Sequence, residues 1–315
     1  MKGFKFVPAG TKIPFIGFRY ISLALSIFML VGSAGLFFTK GLNYGIDFLG
    51  GTTIEIQTLD GPADLTQLRA TVGALGLGDV QLQTFGSPNE VLIKIQAQTG
   101  GDGNAQSSID AVKAALEISN GDQIEYRAVE VVGPTVSGEL VQDSIIAVFL
   151  AIGAVLIYIW MRFEWQFSIA AVVALVHDVA ITIGFFSLLQ LDFNISIIAA
   201  LLTIVGYSLN DTVVVFDRVR EYLRKYKKMD MKELLDLSIN STLSRTILTS
   251  VTTLLALLAL VLFGGEVIKG LSLAMIWGVI IGTYSSIFVA SPILLALGVK
   301  RDWSKNKTSN EATNP

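Results

Sequence analysis

Six long apolar segments dominate the sequence and decide what this chain can fold into. A helix that crosses lipid needs about 20 mainly apolar residues. Segments that meet this requirement are 21–38, 144–161, 165–191, 193–216, 246–265 and 270–299. The composition agrees, because 52% of the residues are hydrophobic and only 16% are charged, whereas soluble domains average about 45–50% and about 25%. The sequence therefore predicts a membrane all-α bundle of six transmembrane helices.

The distribution of Lys and Arg predicts the orientation of this bundle. Basic residues concentrate before the first span, between residues 218 and 232, and after the sixth span. Since cytoplasmic loops carry an excess of Lys and Arg, we expect a cytoplasmic N-terminus (1–20), a basic and then amphipathic cytoplasmic loop (217–245) and a cytoplasmic tail (300–315). The amphipathic part could form a solvated helix that faces lipid headgroups, or it could dock a partner. The net charge of −3 gives no indication of a nucleic-acid partner.

The segment 39–143, between the first two spans, then lies on the opposite side of the membrane and reads as a folded domain. Alternating stretches at 52–57, 79–85, 91–96 and 123–132 predict strands, and helical spacing at 64–75 and 107–118 predicts helices. The order β-α-β-β-α-β predicts an inserted α+β domain of the ferredoxin-like type. Such a fold by itself implies no activity.

Asp211 is the residue that a membrane helix should least contain. It closes an uncharged run of eighteen residues, with Asn210 before it and Asp217 two turns later. An ionisable group at this depth costs about 2.5–3.5 kcal/mol and usually faces protein or water. Asp211 could take up and release a proton in a water-accessible interior, with Asn210 on the same inward side. Alternatively, it pairs with an arginine and only pins two helices together.

Arg245 is the natural partner of Asp211, because it opens the fifth span at a similar depth. Thr249 and Thr252 follow it at helical spacing and extend a polar stripe. Orientation alone would also place an arginine here. The spacing therefore leaves both a functional and a purely topological role open.

His177 and Asp178 lie at the centre of the third span. Histidine is the side chain whose unperturbed pKa lies nearest physiological pH, so the pair could relay protons. An interhelical hydrogen bond is the alternative, and the sequence does not choose between them.

Two glycine motifs indicate structural roles. In the stretch GIDFLGGT the residues Gly45, Asp47, Gly50 and Gly51 form a tight turn from the first span into the first strand. In the sixth span small residues recur at every fourth position, and Gly278 and Gly282 form a GxxxG pair that predicts close helix packing.

Several chemistries are excluded by what the sequence lacks. With no cysteine and a single histidine, the chain has neither a thiolate nucleophile nor the residues for a thiolate or multi-histidine metal site. It also has no nucleotide-binding loop. We therefore predict a protein that is not an enzyme and has no cofactor. The proton exchange suggested for Asp211 would make protons the coupling ion.

Four motifs together resemble the SecD/SecF family of protein-export membrane proteins, within the resistance-nodulation-division superfamily. They are GIDFLGGT, ALVHDV, GYSLNDTVVVFDRVRE and LSRTILTSVTTLLALLAL, and the resemblance covers essentially the whole chain. It implies a SecF-type half-unit of the bacterial inner membrane, with SecD as partner, membrane lipid around it and a periplasmic inserted domain.

The resemblance also implies a function. Members of this family associate with the SecYEG channel, with SecA acting on the cytoplasmic side, and use the proton motive force for late, SecA-independent movement of an unfolded exported polypeptide. Asp211 and Arg245 match the charged pair assigned to proton coupling, whereas the role of the matching His177-Asp178 stays open. The alternatives are half of a proton-driven small-molecule exporter and a structural assembly factor of the translocase.

Overall fold

The computed structural model describes residues 8, 10–78, 80–97, 102–120 and 123–299. Residues 1–7 of the predicted N-terminal segment and the predicted tail 300–315 lie outside this part of the chain. The helices are α1 (Arg19–Lys40, after a 3-10 turn at Phe15–Phe18), α2 (Ile46–Leu49), α3 (Leu65–Gly73), α4 (Asp102–Asn120), α5 (Pro134–Arg162), α6 (Trp165–Leu189), α7 (Ile195–Lys225), α8 (Met231–Phe263), α9 (Glu266–Ser285) and α10 (Ser291–Ala296). The strands are β1 (Asn43–Tyr44), β2 (Gly51–Thr58), β3 (Val80–Phe85), β4 (Ser87–Gln96), β5 (Ile124–Val132) and β6 (Asp192–Phe193).

Six helical stretches of the described chain are long and apolar enough to cross a membrane, as the sequence predicts. The stretches formed by α6, α7 and α9–α10 are central. In the most apolar 18 residues of each, 56%, 44% and 56% are buried inside the protein. Those of α1, α5 and α8 are peripheral, with 17%, 6% and 17% buried. The central three helices therefore form the core of the bundle.

The segment predicted as a long loop, 217–245, is largely helical. α7 continues to Lys225, and α8 already begins at Met231, where Asp230 accepts a hydrogen bond from the backbone N–H of Lys232 at 2.9 Å. The apolar side of this amphipathic stretch is filled by protein, since Leu234 and Leu235 are fully buried in the bundle core. The correction follows from burial: the apolar side of the α8 part of this segment packs against the bundle rather than on lipid headgroups.

The sixth span is interrupted near Pro292. A π-helical segment, Ser286–Ala290, separates α9 from α10, which contains the proline near its start. Proline has no N–H to donate to the carbonyl four residues earlier, here that of Phe288. That oxygen instead accepts a hydrogen bond from the Ser22 hydroxyl of α1 at 3.3 Å, so the interruption links α1 to the central helices.

The segment between α1 and α5 forms an antiparallel sheet with strand order β3-β4-β2-β5. Its helices α3 and α4 share one apolar core with the sheet, which contains Ile54, Ile56, Val72, Val112 and Leu116. β4 and α4 begin several residues earlier than the sequence predicts, at Ser87 and at Asp102.

A second, two-stranded sheet joins this inserted domain to the bundle. β1 follows α1 and pairs in parallel with β6 in the turn between α6 and α7, with Asn43 opposite Asp192 and Tyr44 opposite Phe193. Because α5 starts beside the domain and α7 starts beside β6, both helices run from the domain end of the bundle to the opposite end.

Candidate functional site

Asp178 on α6 is the centre of a buried hydrogen-bond network. The residue is 0% exposed, and its Oδ2 accepts hydrogen bonds from the hydroxyls of Ser208 at 2.6 Å and Ser285 at 2.7 Å. Its Oδ1 lies 2.9 Å from Nδ1 of His177. A single carboxylate thus joins α6, α7 and α9. This geometry fits the interhelical hydrogen bond that the sequence analysis gave as one of two roles for His177 and Asp178.

His177 extends this network toward α1. The imidazole is 2% exposed and stacks on the ring of Tyr284, with centroids 6.1 Å apart. The hydroxyl of Tyr284 donates to the backbone oxygen of Ser22 at 2.8 Å and lies 3.0 Å from the Ser26 hydroxyl. Nε2 of His177 has no hydrogen-bond partner within the described chain. The resulting polar path reaches four of the six spans.

Asp211 on α7 is also buried but differs from Asp178 in its hydrogen bonding. It is 3% exposed, yet its Oδ2 is a buried oxygen without a hydrogen-bond partner among the described residues. Arg245 on α8 lies close enough to interact electrostatically with it, but the two form no ion pair within 4.0 Å in the described chain, and Arg245 is an exposed residue. The predicted partners are neighbours without direct contact.

The other polar residues predicted around this pair point elsewhere. Asn210 is exposed, which corrects its expected inward position: consecutive helical residues are separated by about 100°, and of these two residues only Asp211 is buried. Asp217 forms a half-exposed ion pair with Arg162 at 2.8 Å. The hydroxyls of Thr249 and Thr252 donate to carbonyls one turn earlier in α8, at 3.1 and 2.9 Å.

The glycines of the sixth span bring α9 against α7. A Cβ atom on Gly278 would overlap the side chain of Ile204, and one on Gly282 would lie 3.0 Å from Cβ of Ser208. This close approach matters for the network, because Ser208 must lie beside Ser285 for both hydroxyls to reach the same oxygen of Asp178.

The turn motif fixes the inserted domain to the start of α7. The N–H of Gly45 donates to the backbone oxygen of Phe193 at 2.9 Å, and Oδ2 of Asp47 accepts from the N–H of Ile195 at 2.9 Å. Such a carboxylate satisfies one of the free N–H groups at a helix start. Gly51 has φ +142° and a Cβ there would overlap the backbone of β4, so the turn requires glycine.

Asp192 makes a further junction that the sequence analysis missed. Its carboxylate accepts from Nζ of Lys94 at 2.5 Å, Nδ2 of Asn43 at 2.7 Å and Nε2 of Gln83 at 3.0 Å. Two of these donors lie on the sheet of the inserted domain, whereas Asp192 belongs to the α6–α7 turn. Ser208, Ser285 and Tyr284 were missed as well; their only sequence signal is a polar group inside an apolar run.

Comparison with known proteins gives concordant results. The family profile described as "Protein export membrane protein SecD/SecF, C-terminal" matches residues 111–300, and the "SecD/SecF GG Motif" matches residues 35–58. The chain is 46% identical over 297 residues to the protein translocase subunit SecF of Rickettsia bellii, covering 94% of this chain and 97% of that protein. It is 44% identical over 307 residues to the same subunit of Cereibacter sphaeroides, covering 96% and 94%.

Solved structures agree with these relatives. The crystal structure of SecDF, a translocon-associated membrane protein from Thermus thermophilus, superposes with a TM-score of 0.81 at 37% identity. The match covers 91% of this chain and 39% of that longer chain. A SecDF structure in a super-membrane-facing form superposes with a TM-score of 0.69 at 36% identity. The resemblance seen in the four sequence motifs is confirmed, and the chain belongs to the SecD/SecF family of protein-export membrane proteins.

Proposed function

We propose that this chain is the SecF half of a SecDF-type accessory unit of the Sec protein translocase in the bacterial inner membrane. In this proposal it uses the proton motive force to promote late, SecA-independent movement of exported polypeptides. The relatives named as protein translocase subunits and the translocon-associated SecDF structure support the translocase role. Proton coupling needs a further argument, from the bundle itself.

The observation that carries proton coupling is the contrast between two buried acids. Asp178 is held by three hydrogen-bonding side chains, whereas Asp211 has a buried oxygen with no partner in the described chain. An unsatisfied buried polar group costs about 1–3 kcal/mol, and ionisable groups retained inside membranes usually serve a function. We therefore assign Asp178 the structural role of holding the helices together, and Asp211 the role of the group that changes its charge.

The proposed step is a change in the attraction between α7 and α8. When Asp211 is ionised, the guanidinium of Arg245 is drawn toward it; when Asp211 is protonated, that attraction is lost. Each elementary charge that crosses the membrane field gains about 2.3 kcal/mol per 100 mV, which is enough to shift helices between two packings. Because Asp47 joins the inserted domain to the start of α7, such a shift would also move the domain.

The partners and topology follow from the same proposal. SecD supplies the other six spans, SecYEG the channel and SecA the initial cytoplasmic drive, and both termini are cytoplasmic. The inserted domain is ferredoxin-like and holds the unfolded exported chain on the periplasmic side. Its antiparallel strand order β3-β4-β2-β5, with α3 and α4 sharing one core with the sheet, supports that assignment.

The test is Asp211→Asn, which removes the charge and keeps the shape. Membrane vesicles containing the variant, SecD and the channel should complete SecA-initiated export at the rate seen without a proton gradient. Asp110→Asn is the matched control, because Asp110 is an exposed residue of α4 and should leave gradient-dependent export at the parental rate.

Two results would contradict the proposal. If Asp211→Asn assembles normally and retains gradient-dependent export, proton coupling through this residue is wrong. If Arg245→Lys is also fully active while loss of the whole chain abolishes export, the chain acts as an assembly factor.

A further inference from the structure

A charged cleft lies at the end of the bundle opposite the inserted domain. It has a volume of about 450 Å³ and opens where α5 ends and α7 approaches its last turns. Its lining consists of Arg162, Asp217, Arg220, Glu221, Arg224 and Lys225. Neither the proton-coupling proposal nor the matched family descriptions involve this cleft.

The cleft has an excess of positive charge, because both of its acids already have partners. Asp217 pairs with Arg162 at 2.8 Å, and Glu221 pairs with Arg218 at 2.7 Å. The remaining lining residues are three cations, which form no ion pair with an acid in the described chain: Arg220, Arg224 and Lys225. The site is therefore suited to an anion.

Arg220 is held in place by the turn between α5 and α6. Its Nη1 donates to the backbone oxygen of Arg162 at 3.0 Å, and its guanidinium lies 5.4 Å from the ring centre of Phe163, which is buried. Arg224 follows one helical turn later, is exposed, and makes no side-chain hydrogen bond within the described residues. A fixed guanidinium with a second one beside it matches the oxygens of a phosphate group.

The cleft also lies at the depth where lipid headgroups are expected. Trp160, Met161 and Trp165 flank it on α5 and α6 and are 67%, 83% and 53% exposed. Exposed tryptophans of a membrane protein concentrate at the membrane–water interface, and basic pockets between spans at the cytoplasmic interface bind anionic headgroups. Above this level α5 presents apolar side chains outward, including Phe149 and Ile157.

We propose that this cleft binds the phosphodiester headgroup of an anionic phospholipid, with Arg220 and Arg224 contacting the phosphate. The acyl chains of that lipid lie along the exposed apolar face of α5. This inference does not depend on the proton-coupling proposal, because it concerns a different end of α7 and a different ligand.

The experiment measures lipid preference by tryptophan fluorescence: Trp160 and Trp165 lie beside the cleft, and Trp277 and Trp303 give a background that is common to all variants. The full-length chain is reconstituted in phosphatidylcholine vesicles that contain increasing fractions of phosphatidylglycerol brominated near the headgroup, and quenching of tryptophan fluorescence reports binding. Brominated phosphatidylcholine gives the quenching caused by non-selective lipid contact. The parental protein should prefer the anionic lipid over the zwitterionic one.

The variant R220Q/R224Q should lose that preference, by about fivefold for each arginine removed. K228Q/K232Q is the matched control, since it removes the same charge from exposed residues outside the cleft and should keep the preference. Arg224→Gln alone removes only an exposed side chain and should show part of the loss, so the test does not depend on Arg220 being dispensable for folding.

Three results would overturn the proposal. The parental protein could show no preference for phosphatidylglycerol. The control K228Q/K232Q could lose as much preference as R220Q/R224Q, which would show general surface charge. Soluble glycerol phosphate could displace the brominated lipid as well as unbrominated phosphatidylglycerol does, which would identify a free-anion site rather than a lipid site.

Discussion

Replacing Asp178 by asparagine separates a structural role from a proton-carrying role. The asparagine carbonyl can accept from both Ser208 and Ser285, as Oδ2 of Asp178 does, which directs its NH2 group at Nδ1 of His177. That nitrogen can accept if the imidazole carries its proton on Nε2. Since Nε2 has no partner in the described chain, this change of tautomer sacrifices no hydrogen bond. Asparagine can therefore preserve all three contacts.

The expected energies follow from this count of contacts. Interhelical hydrogen bonds in membranes are worth about 0.6 kcal/mol on average and at most about 1.7, so weakening three of them by removing the charge should cost roughly 1–2 kcal/mol. Asp178→Leu instead leaves the Ser208 hydroxyl and the His177 imidazole without their acceptor, whereas the Ser285 hydroxyl can still donate to the backbone oxygen of Gly282 at 3.2 Å. At about 1–3 kcal/mol for each unsatisfied group, leucine should cost at least about 2 kcal/mol, and more once the cavity around its different shape is included.

Two measurements on the same variants test this reasoning. Unfolding by SDS in mixed micelles should rank the parental protein, Asp178→Asn and Asp178→Leu in that order of stability. Gradient-dependent export in vesicles should stay near the parental rate for Asp178→Asn. If this variant is nearly as stable as the parental protein but has lost gradient-dependent export, Asp178 carries the proton. If leucine is tolerated as well as asparagine, the network does not hold the helices together.

Two further predictions concern packing and the junction with the inserted domain. Gly278→Ala should lower the free energy of unfolding by about 1–3 kcal/mol, because its Cβ would overlap Ile204. Gly206→Ala, with no neighbour within 4 Å, should be neutral or stabilise by up to about 1 kcal/mol; equal effects in SDS unfolding would contradict the assigned helix contact. Lys94→Met should weaken the junction at Asp192, since it removes the shortest of three hydrogen bonds there. Hydrogen exchange of the β1 and β6 amides should then become faster, and unchanged exchange would show that this ion pair does not hold the junction.

The helices could be predicted from the sequence because apolar length is a local property. The expected exposure of the amphipathic part of 217–245 was wrong for a related reason, since Leu234 and Leu235 indicate an apolar helical face but not whether lipid or protein covers it. The structure shows protein. In the same way, Asp211 stands out by its sequence position alone, whereas the exposure of Asn210 depends on which neighbours surround α7.

The polar network around Asp178 could not be predicted because its members are distant in sequence. Ser285 and Asp178 are 107 positions apart, and a serine in an apolar helix most often bonds to its own backbone, as Ser238 does to the oxygen of Leu234. The junction at Asp192 is similar, with Lys94 on a strand of another domain. Pairings of this kind depend on the tertiary arrangement, which single-sequence periodicity does not encode.

Asp47 caps the start of α7, so a rotation of the inserted domain would tilt this helix. The helix is continuous over 31 residues, and Asp211 lies 16 positions beyond the capped residue Ile195, or about 24 Å along the axis at ~1.5 Å per residue. If α7 pivots about the capped end as a rigid rod, a tilt of about 10° displaces Asp211 by roughly 4 Å. A displacement of that size is comparable with the reach of an ion pair, so under the proton-coupling proposal a small rotation at the inserted domain would be enough to make or break the contact between Asp211 and Arg245.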